Sequence, residues 1–154
     1  MPGAIHLVRH AKAGSRRAWQ GPDAERPLTP AGKRQAEAIA NFLARKPVSR
    51  IVSSPFLRCR LTVEPLGAKV GIPVETDDRL AEGAGIDGVR AFISTAGRGD
   101  LVLCSHGDVI GGVLEWLERE GAELDQPRRM EKGSVWTLET RKGRVVRARY
   151  HLPA

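Results

Sequence analysis

The feature that most constrains the fold is a short apolar run near the start of the chain that ends in an arginine and a histidine. Ile5, Leu7 and Val8 predict a buried strand, and Arg9 and His10 follow at its carboxyl end. Ligand sites of open α/β sheets lie at that end of the strands. A histidine can attack phosphorus as a covalent nucleophile, and an arginine offers a planar, charged fork to phosphate oxygens. The pair is therefore a candidate site for phosphoryl transfer.

A second histidine occupies the same kind of position. The apolar run 101–104 predicts a strand that ends in Ser105 and His106, and apolar residues at helical spacing follow over 109–117. Because the carboxyl ends of parallel strands meet at one edge of a sheet, we expect His106 to lie near the first pair.

A third segment supplies another arginine. Ile51 and Val52 predict a strand that leads into Ser54 and Pro55, which we expect to cap and begin a helix. Arg58 then lies in the first turn of that helix. The three strand ends together predict a phosphate pocket that contains a nucleophile.

Three segments of the chain resemble the signature segments of the histidine phosphatase superfamily (the phosphoglycerate mutase-like branch 1), in that family's order. They are LVRHAKAG at 7–14, VSSPFLRCRLT at 52–62 and LVLCSHGDV at 101–109. The alanines after His10 and the segment RPLTPAG at 26–32 resemble the SixA-like phosphohistidine phosphatases most. The segment KGSVW at 132–136 is similar to the histidine phosphatase domain that follows a Nudix domain in some actinobacterial nucleotide hydrolases.

The resemblance implies an α/β fold, a three-layer α/β/α sandwich with a mostly parallel central sheet. With 154 residues we expect one domain over 1–154. Thr29 and Pro30 predict the start of a helix that Pro47 ends. Residues 134–138 and 145–150 predict a hairpin whose basic residues face outward on a terminal strand.

The resemblance also implies a phosphatase, a phosphoric monoester hydrolase. The four histidines have no paired acidic ligands, so we expect it to work without a metal or other cofactor. His10 is then the nucleophile that carries the phosphoryl group. Arg9, Arg58 and protonated His106 would bind the phosphate oxygens and neutralise the charge that develops on them.

Glu82 is the candidate proton donor. The family places this group after an Arg-Leu pair, which here is Arg79-Leu80. A positioned carboxyl group can protonate the leaving group and then activate a water molecule. The alternative is that Glu82 is an ordinary loop carboxylate.

The polar segment 15–30 predicts a basic loop beside the pocket. Lys12, Arg16 and Arg26 are candidates for its substrate-contacting rim. Arg26 lies in the segment that carries the resemblance, whereas Arg16 could equally be a solvated surface charge.

The composition of the chain limits the kinds of partner that it can bind. The chain has 25 basic and 18 acidic residues, a net charge of +7 that attracts anions. A phosphorylated substrate fits this charge, and nucleic acid is less favoured because the few aromatic residues are not interleaved with the basic ones. No apolar run approaches membrane-spanning length. Cys59 and Cys104 lack metal-type spacing and are expected to be reduced, buried thiols of a cytoplasmic protein.

Three functions remain possible, and they differ in the ligand and in whether it is turned over. A phosphohistidine protein is the first expectation, and a nucleotide or another small phosphate ester is the alternative. A module that binds a phosphorylated ligand without turnover is a non-enzymatic alternative. The mutases have Gly, Ser and Asn where this chain has Ala11, Ala13 and Arg16, which argues against mutase activity.

Overall fold

The computed structural model describes residues 3–154, which form one seven-stranded sheet with helices on both faces. The strands are β1 (Ile5–Arg9), β2 (Val48–Ser53), β3 (Val74–Thr76), β4 (Asp100–Ser105), β5 (Glu123–Leu124), β6 (Val135–Arg141) and β7 (Arg144–His151). The α-helices are α1 (Pro30–Leu43), α2 (Leu57–Val70), α3 (Asp87–Ser94) and α4 (Gly107–Arg119), and 3-10 turns span Asp23–Glu25 and Asp78–Leu80.

Two apolar clusters bury the two faces of the sheet. On one face α1 and α2 pack through residues such as Leu43 and Leu66 against Val8 and Ile51. On the other face α3 and α4 pack against alternate residues of the same strands, because successive side chains of a strand point to opposite faces. The three-layer α/β/α prediction is confirmed.

The sheet order is β3-β2-β4-β1-β6-β7-β5. The pairs β3-β2, β2-β4, β4-β1 and β7-β5 are parallel, and β1-β6 and β6-β7 are antiparallel. The predictions of a mostly parallel sheet and of a C-terminal hairpin are confirmed. The prediction that the hairpin supplies the terminal strand is wrong, because Glu123 and Leu124 pair with β7 on its outer side.

Helix α1 begins where the sequence predicts but ends earlier than predicted. The Thr29 hydroxyl accepts a hydrogen bond from the Gly32 amide at 3.0 Å, and Pro30 is the first residue of α1, as predicted. The prediction that Pro47 ends this helix is too late, since α1 ends at Leu43.

The prediction that Ser54 caps α2 is wrong. The helix begins at Leu57, with extended Phe56 as its N-cap. The Ser54 hydroxyl instead lies 2.9 Å from His106 Nε2, and it accepts a bond from the Phe56 amide at 3.2 Å. A contact with a residue fifty-two positions away replaces the local cap.

The register of the strands brings the candidate residues to one edge of the sheet. Arg9 is in register with Ser105, and Cys104 is in register with Ser53. The next residue after each of the three strands therefore projects from the same edge of the sheet.

Both cysteines, Cys59 and Cys104, are buried and free, as the sequence predicts. No helix within residues 3–154 is long and apolar enough to cross a membrane. The same residues contain no group of three or more His, Cys, Asp and Glu side chains arranged to hold a metal ion.

Candidate active site

His10 lies directly after β1 and is 6% exposed. Its Nδ1 donates to the Ala11 carbonyl at 2.9 Å. Burial lowers the pKa of His10 to about 3, an effect that the bond to Ala11 opposes and that the nearby positive charges of Arg58 and Arg9 increase. A neutral imidazole that donates from Nδ1 has its lone pair on Nε2. His10 therefore has a nucleophilic nitrogen at neutral pH.

The two arginines are held by backbone and side-chain acceptors. Arg9 donates from one terminal nitrogen to the Met130 carbonyl. Arg58 is fully buried, and it donates to the Asp23 carbonyl at 3.0 Å and to the Asp23 carboxylate at 3.2 Å. These contacts fix both guanidinium groups.

His106 lies beside His10, with ring centroids 5.4 Å apart in an edge-to-face arrangement. It is the N-cap residue of α4, so it stands at the positive end of a helix dipole. A Cβ at the following Gly107 would lie 3.1 Å from the Arg9 guanidinium carbon, so the guanidinium packs closely on this glycine. The absence of that side chain lets Arg9 reach the helix N-terminus.

Three buried nitrogens have no hydrogen-bond partner within the described part of the chain: Arg9 Nε, Arg58 Nε and His106 Nδ1. Buried donors in native proteins almost always have a partner, so each exception needs an explanation. All three belong to the residues that the sequence predicts as phosphate ligands. The arrangement can supply three donors to an anion beside His10.

Glu82 faces the same site. Its Oε1 lies 3.4 Å from one terminal nitrogen of Arg58, 3.4 Å from one of Arg16 and 4.0 Å from His106 Nδ1. The adjacent Gly83 amide donates to the Asp108 carboxylate at 2.7 Å, which ties this loop to the start of α4. The carboxylate can reach a leaving group at the phosphate position.

A cavity of about 420 Å³ opens onto this site and has the size of a small-molecule pocket. Its lining residues are Arg9, His10, Arg16, Arg26, Glu82, Gly107, Asp108, Met130 and Lys132. Arg58 and His106 are buried beneath it.

The predicted rim residues have different places. Arg16 lines the cavity and is exposed, whereas Arg26 is 5% exposed and is held by the Asp23 carboxylate at 3.1 Å and by the Gly14 carbonyl. Lys12 is exposed and lies outside the cavity lining, and its amide donates to Gln35. Arg26 therefore stabilises the loop through its contacts with Asp23 and Gly14. Lys12 takes part through its backbone amide, which bonds to Gln35.

Asp23 is a site residue that the sequence analysis missed. Its carboxylate lies 3.2 Å from Arg58, 3.1 Å from Arg26 and 3.5 Å from Arg16. Partial burial opposes ionisation of Asp23, but the bond from Arg26 and the charge of Arg58 outweigh it and lower its pKa. The spacing of three residues between Asp23 and Arg26 was a signal for one of these pairs, whereas the contact with Arg58 depends on the tertiary fold.

These features define a class of site: a neutral nucleophilic histidine among cationic donors at the carboxyl edge of an α/β sheet. The family model described as "Histidine phosphatase superfamily (branch 1)" matches residues 5–87 of this chain. The chain belongs to this superfamily, and the resemblance drawn from its three segments is confirmed.

One curated relative aligns with nearly the whole of this chain. An 8-oxo-(d)GTP phosphatase of Mycolicibacterium smegmatis is 32% identical over 154 residues, covering 97% of this chain and 48% of the relative. The chain thus spans about half the length of that curated relative.

Solved structures share the fold. The protein histidine phosphatase SixA complexed with tungstate superposes with a TM-score of 0.75 at 20% identity, covering 96% of this chain and 94% of that one. A mycobacterial glucosyl-3-phosphoglycerate phosphatase complexed with VO3 gives a TM-score of 0.67 at 20% identity, covering 96% and 97%.

Proposed function

We propose that the chain is a metal-independent phosphatase that forms a phosphohistidine intermediate on His10 Nε2. The observation that carries the proposal is the set of three unpartnered, buried nitrogens of Arg9, Arg58 and His106 around a neutral histidine. Two guanidinium donors and one imidazole donor match the three equatorial oxygens of a phosphoryl group under in-line attack.

In the first step Nε2 of His10 attacks phosphorus as the bond to the leaving group breaks. Arg9, Arg58 and His106 stabilise the charge on the three oxygens, which is the role that electrostatic catalysis requires. The leaving group takes a proton from Glu82 or from water. Because His10 is neutral before the attack, no proton has to be removed from Nε2.

In the second step a water molecule attacks the phosphorus of the intermediate and the P–N bond breaks. The proton of this water passes to Glu82, and the 3.4 Å distance between Glu82 Oε1 and Arg58 supports this role. Free phosphate leaves, and His10 returns to its neutral form.

For the substrate we propose a phosphohistidine protein, with a nucleotide or another small phosphate ester as the second candidate. The SixA-like segments and the fold shared with SixA support the first. The relative named as an 8-oxo-(d)GTP phosphatase, which matches 97% of this chain, supports the second. A phosphate-release screen over phosphohistidine protein, nucleotides and sugar phosphates distinguishes them.

The test of the mechanism is His10→Ala compared with His151→Asn, a histidine at the far end of the chain. We expect His10→Ala to abolish turnover and the acid-labile phosphoenzyme that forms from a ³²P-labelled substrate, with an unchanged circular dichroism spectrum. We expect His151→Asn to retain both. Turnover by His10→Ala contradicts the nucleophile, and ligand binding without turnover by the unmodified chain supports the binding module instead.

Addition of a chelator tests metal independence. We expect it to leave the rate unchanged, because side-chain cations supply the charge stabilisation. A rate that falls in chelator and recovers with a divalent ion contradicts this part of the proposal.

A further inference from the structure

Lys132 is a cavity residue with no role in the mechanism described above. It lines the cavity together with Arg9 and His10. The next residue, Gly133, donates its amide to the carbonyls of Arg9 at 3.2 Å and His10 at 3.1 Å. The turn that carries Lys132 is thus bonded directly to the backbone of the nucleophile.

Gln35 on α1 holds this turn in place. Its Nε2 donates to the Lys132 carbonyl at 3.0 Å, and its Oε1 accepts from the Lys12 amide at 2.8 Å. Gly133 has φ +80°, and a Cβ there would lie 2.9 Å from the Gln35 amide carbon. The close packing of Gln35 against Gly133 fixes the position of the Lys132 backbone.

The positive charge of Lys132 is not neutralised by the carboxylates around the cavity. Asp23 lies against Arg16, Arg26 and Arg58, and Glu82 lies against Arg16 and Arg58. Asp108 accepts from a backbone amide. Lys132 is exposed, but partial desolvation and then the charges of Arg9, Arg26, Arg16 and Arg58 lower its pKa. Cations held this close repel one another, and a bound polyanion relieves the repulsion.

We infer that Lys132 forms a second anion subsite beside the phosphoryl site, so that the chain prefers substrates with two phosphate groups in tandem. The inference rests on the proposed function for the first subsite. Gly133 is bonded to Arg9 and His10, and Lys132 lines the same cavity as these two residues. The lysine is therefore available to a charge next to the first phosphate, which favours a diphosphate over two separated phosphates.

Binding of non-hydrolysable probes tests the second subsite independently of turnover. Methylphosphonate carries one phosphonate group and methylenebisphosphonate carries two in tandem. Their dissociation constants are measured by calorimetry at one pH and one salt concentration, for the unmodified chain, for Lys132→Met and for Lys69→Met. Lys69 is an exposed lysine near the end of α2 and serves as the matched control.

We expect the unmodified chain and Lys69→Met to bind methylenebisphosphonate at least tenfold more tightly than methylphosphonate. We expect Lys132→Met to reduce this preference to threefold or less. Equal binding of the two probes by the unmodified chain, or an unchanged preference in Lys132→Met, overturns the second subsite and leaves the phosphatase proposal intact. Failure of both probes to bind the unmodified chain contradicts the phosphate site itself.

Discussion

Arg58 and Asp23 form a two-point contact in which one residue of a 3-10 turn holds both terminal nitrogens of a fully buried guanidinium. The contact uses the Asp23 carbonyl as well as its carboxylate. The remaining Nε of Arg58 is left as the donor without a partner. Asp23 therefore sets the direction in which Arg58 offers its free donor.

We expect Asp23→Asn to lower kcat/KM for an aryl phosphate by about tenfold, since hydrogen bonds to charged groups contribute roughly 1.5–3 kcal/mol. Asp87→Asn is the control, because Asp87 is an exposed residue of α3. Steady-state kinetics and thermal unfolding of both variants measure the effect. Unaltered kinetics in Asp23→Asn contradict the positioning role.

We expect Ser54→Ala to slow turnover by about tenfold, because the Ser54 hydroxyl lies 2.9 Å from His106 Nε2 and orients that ring. Ser53→Ala is the matched control, since the Ser53 hydroxyl donates to a backbone carbonyl and not to His106. The measurement is kcat for an aryl phosphate. Similar losses in both variants would indicate a general packing effect.

The depressed pKa of His10, about 3, predicts acid-sensitive stability. The ordinary pKa of an unfolded histidine is near 6.5, so between pH 6.5 and 3 the unfolded chain binds a proton that folded His10 does not, and stability falls as the pH is lowered. Between pH 7 and 5 this linkage contributes about 2 kcal/mol. We expect His10→Asn to lose less unfolding free energy than the unmodified chain over that range by this amount, measured by urea denaturation. Parallel pH profiles would refute the assignment.

The identity of the leaving group decides how much Glu82 matters. We expect Glu82→Gln to slow an alkyl phosphate ester by at least tenfold, because general acid catalysis contributes ~10²–10⁴-fold. Phosphohistidine and nucleoside polyphosphates have better leaving groups and should change much less. Glu64→Gln, a substitution on the exposed side of α2, serves as the control. An equal loss on every substrate would assign Glu82 to positioning, and no loss on any would make it an ordinary loop carboxylate.

The sequence was informative wherever a residue acts from the end of its own strand. Arg9, His10 and His106 could be placed because an apolar run ends within two residues before each of them. The sheet layers could be predicted for the same reason, since β1 and β4 read as continuous buried runs.

Contacts between distant segments could not be predicted. Ser54 has the local pattern of a helix cap, but its hydroxyl is used by His106. Gln35 and Lys132 meet only because α1 packs beside the turn before β6. Single-sequence patterns carry periodicity and local hydrogen-bonding preferences, and neither of these encodes a pairing across ninety-seven positions.

The place of β1 in the sheet has a consequence for how the molecule opens. This strand is bonded on both sides, to β4 and to β6, and the proposed nucleophile His10 follows it directly. Glu82 and Arg16 instead lie on irregular segments outside the strands and α-helices. Amide protons of Leu7 and Val8 should therefore exchange with deuterium only through global unfolding, whereas those near Arg16 and Glu82 should exchange through local fluctuations. We therefore expect the proposed nucleophile to stand on a strand as durable as the whole fold, and the proposed proton donor to lie on a loop that can rearrange without unfolding it.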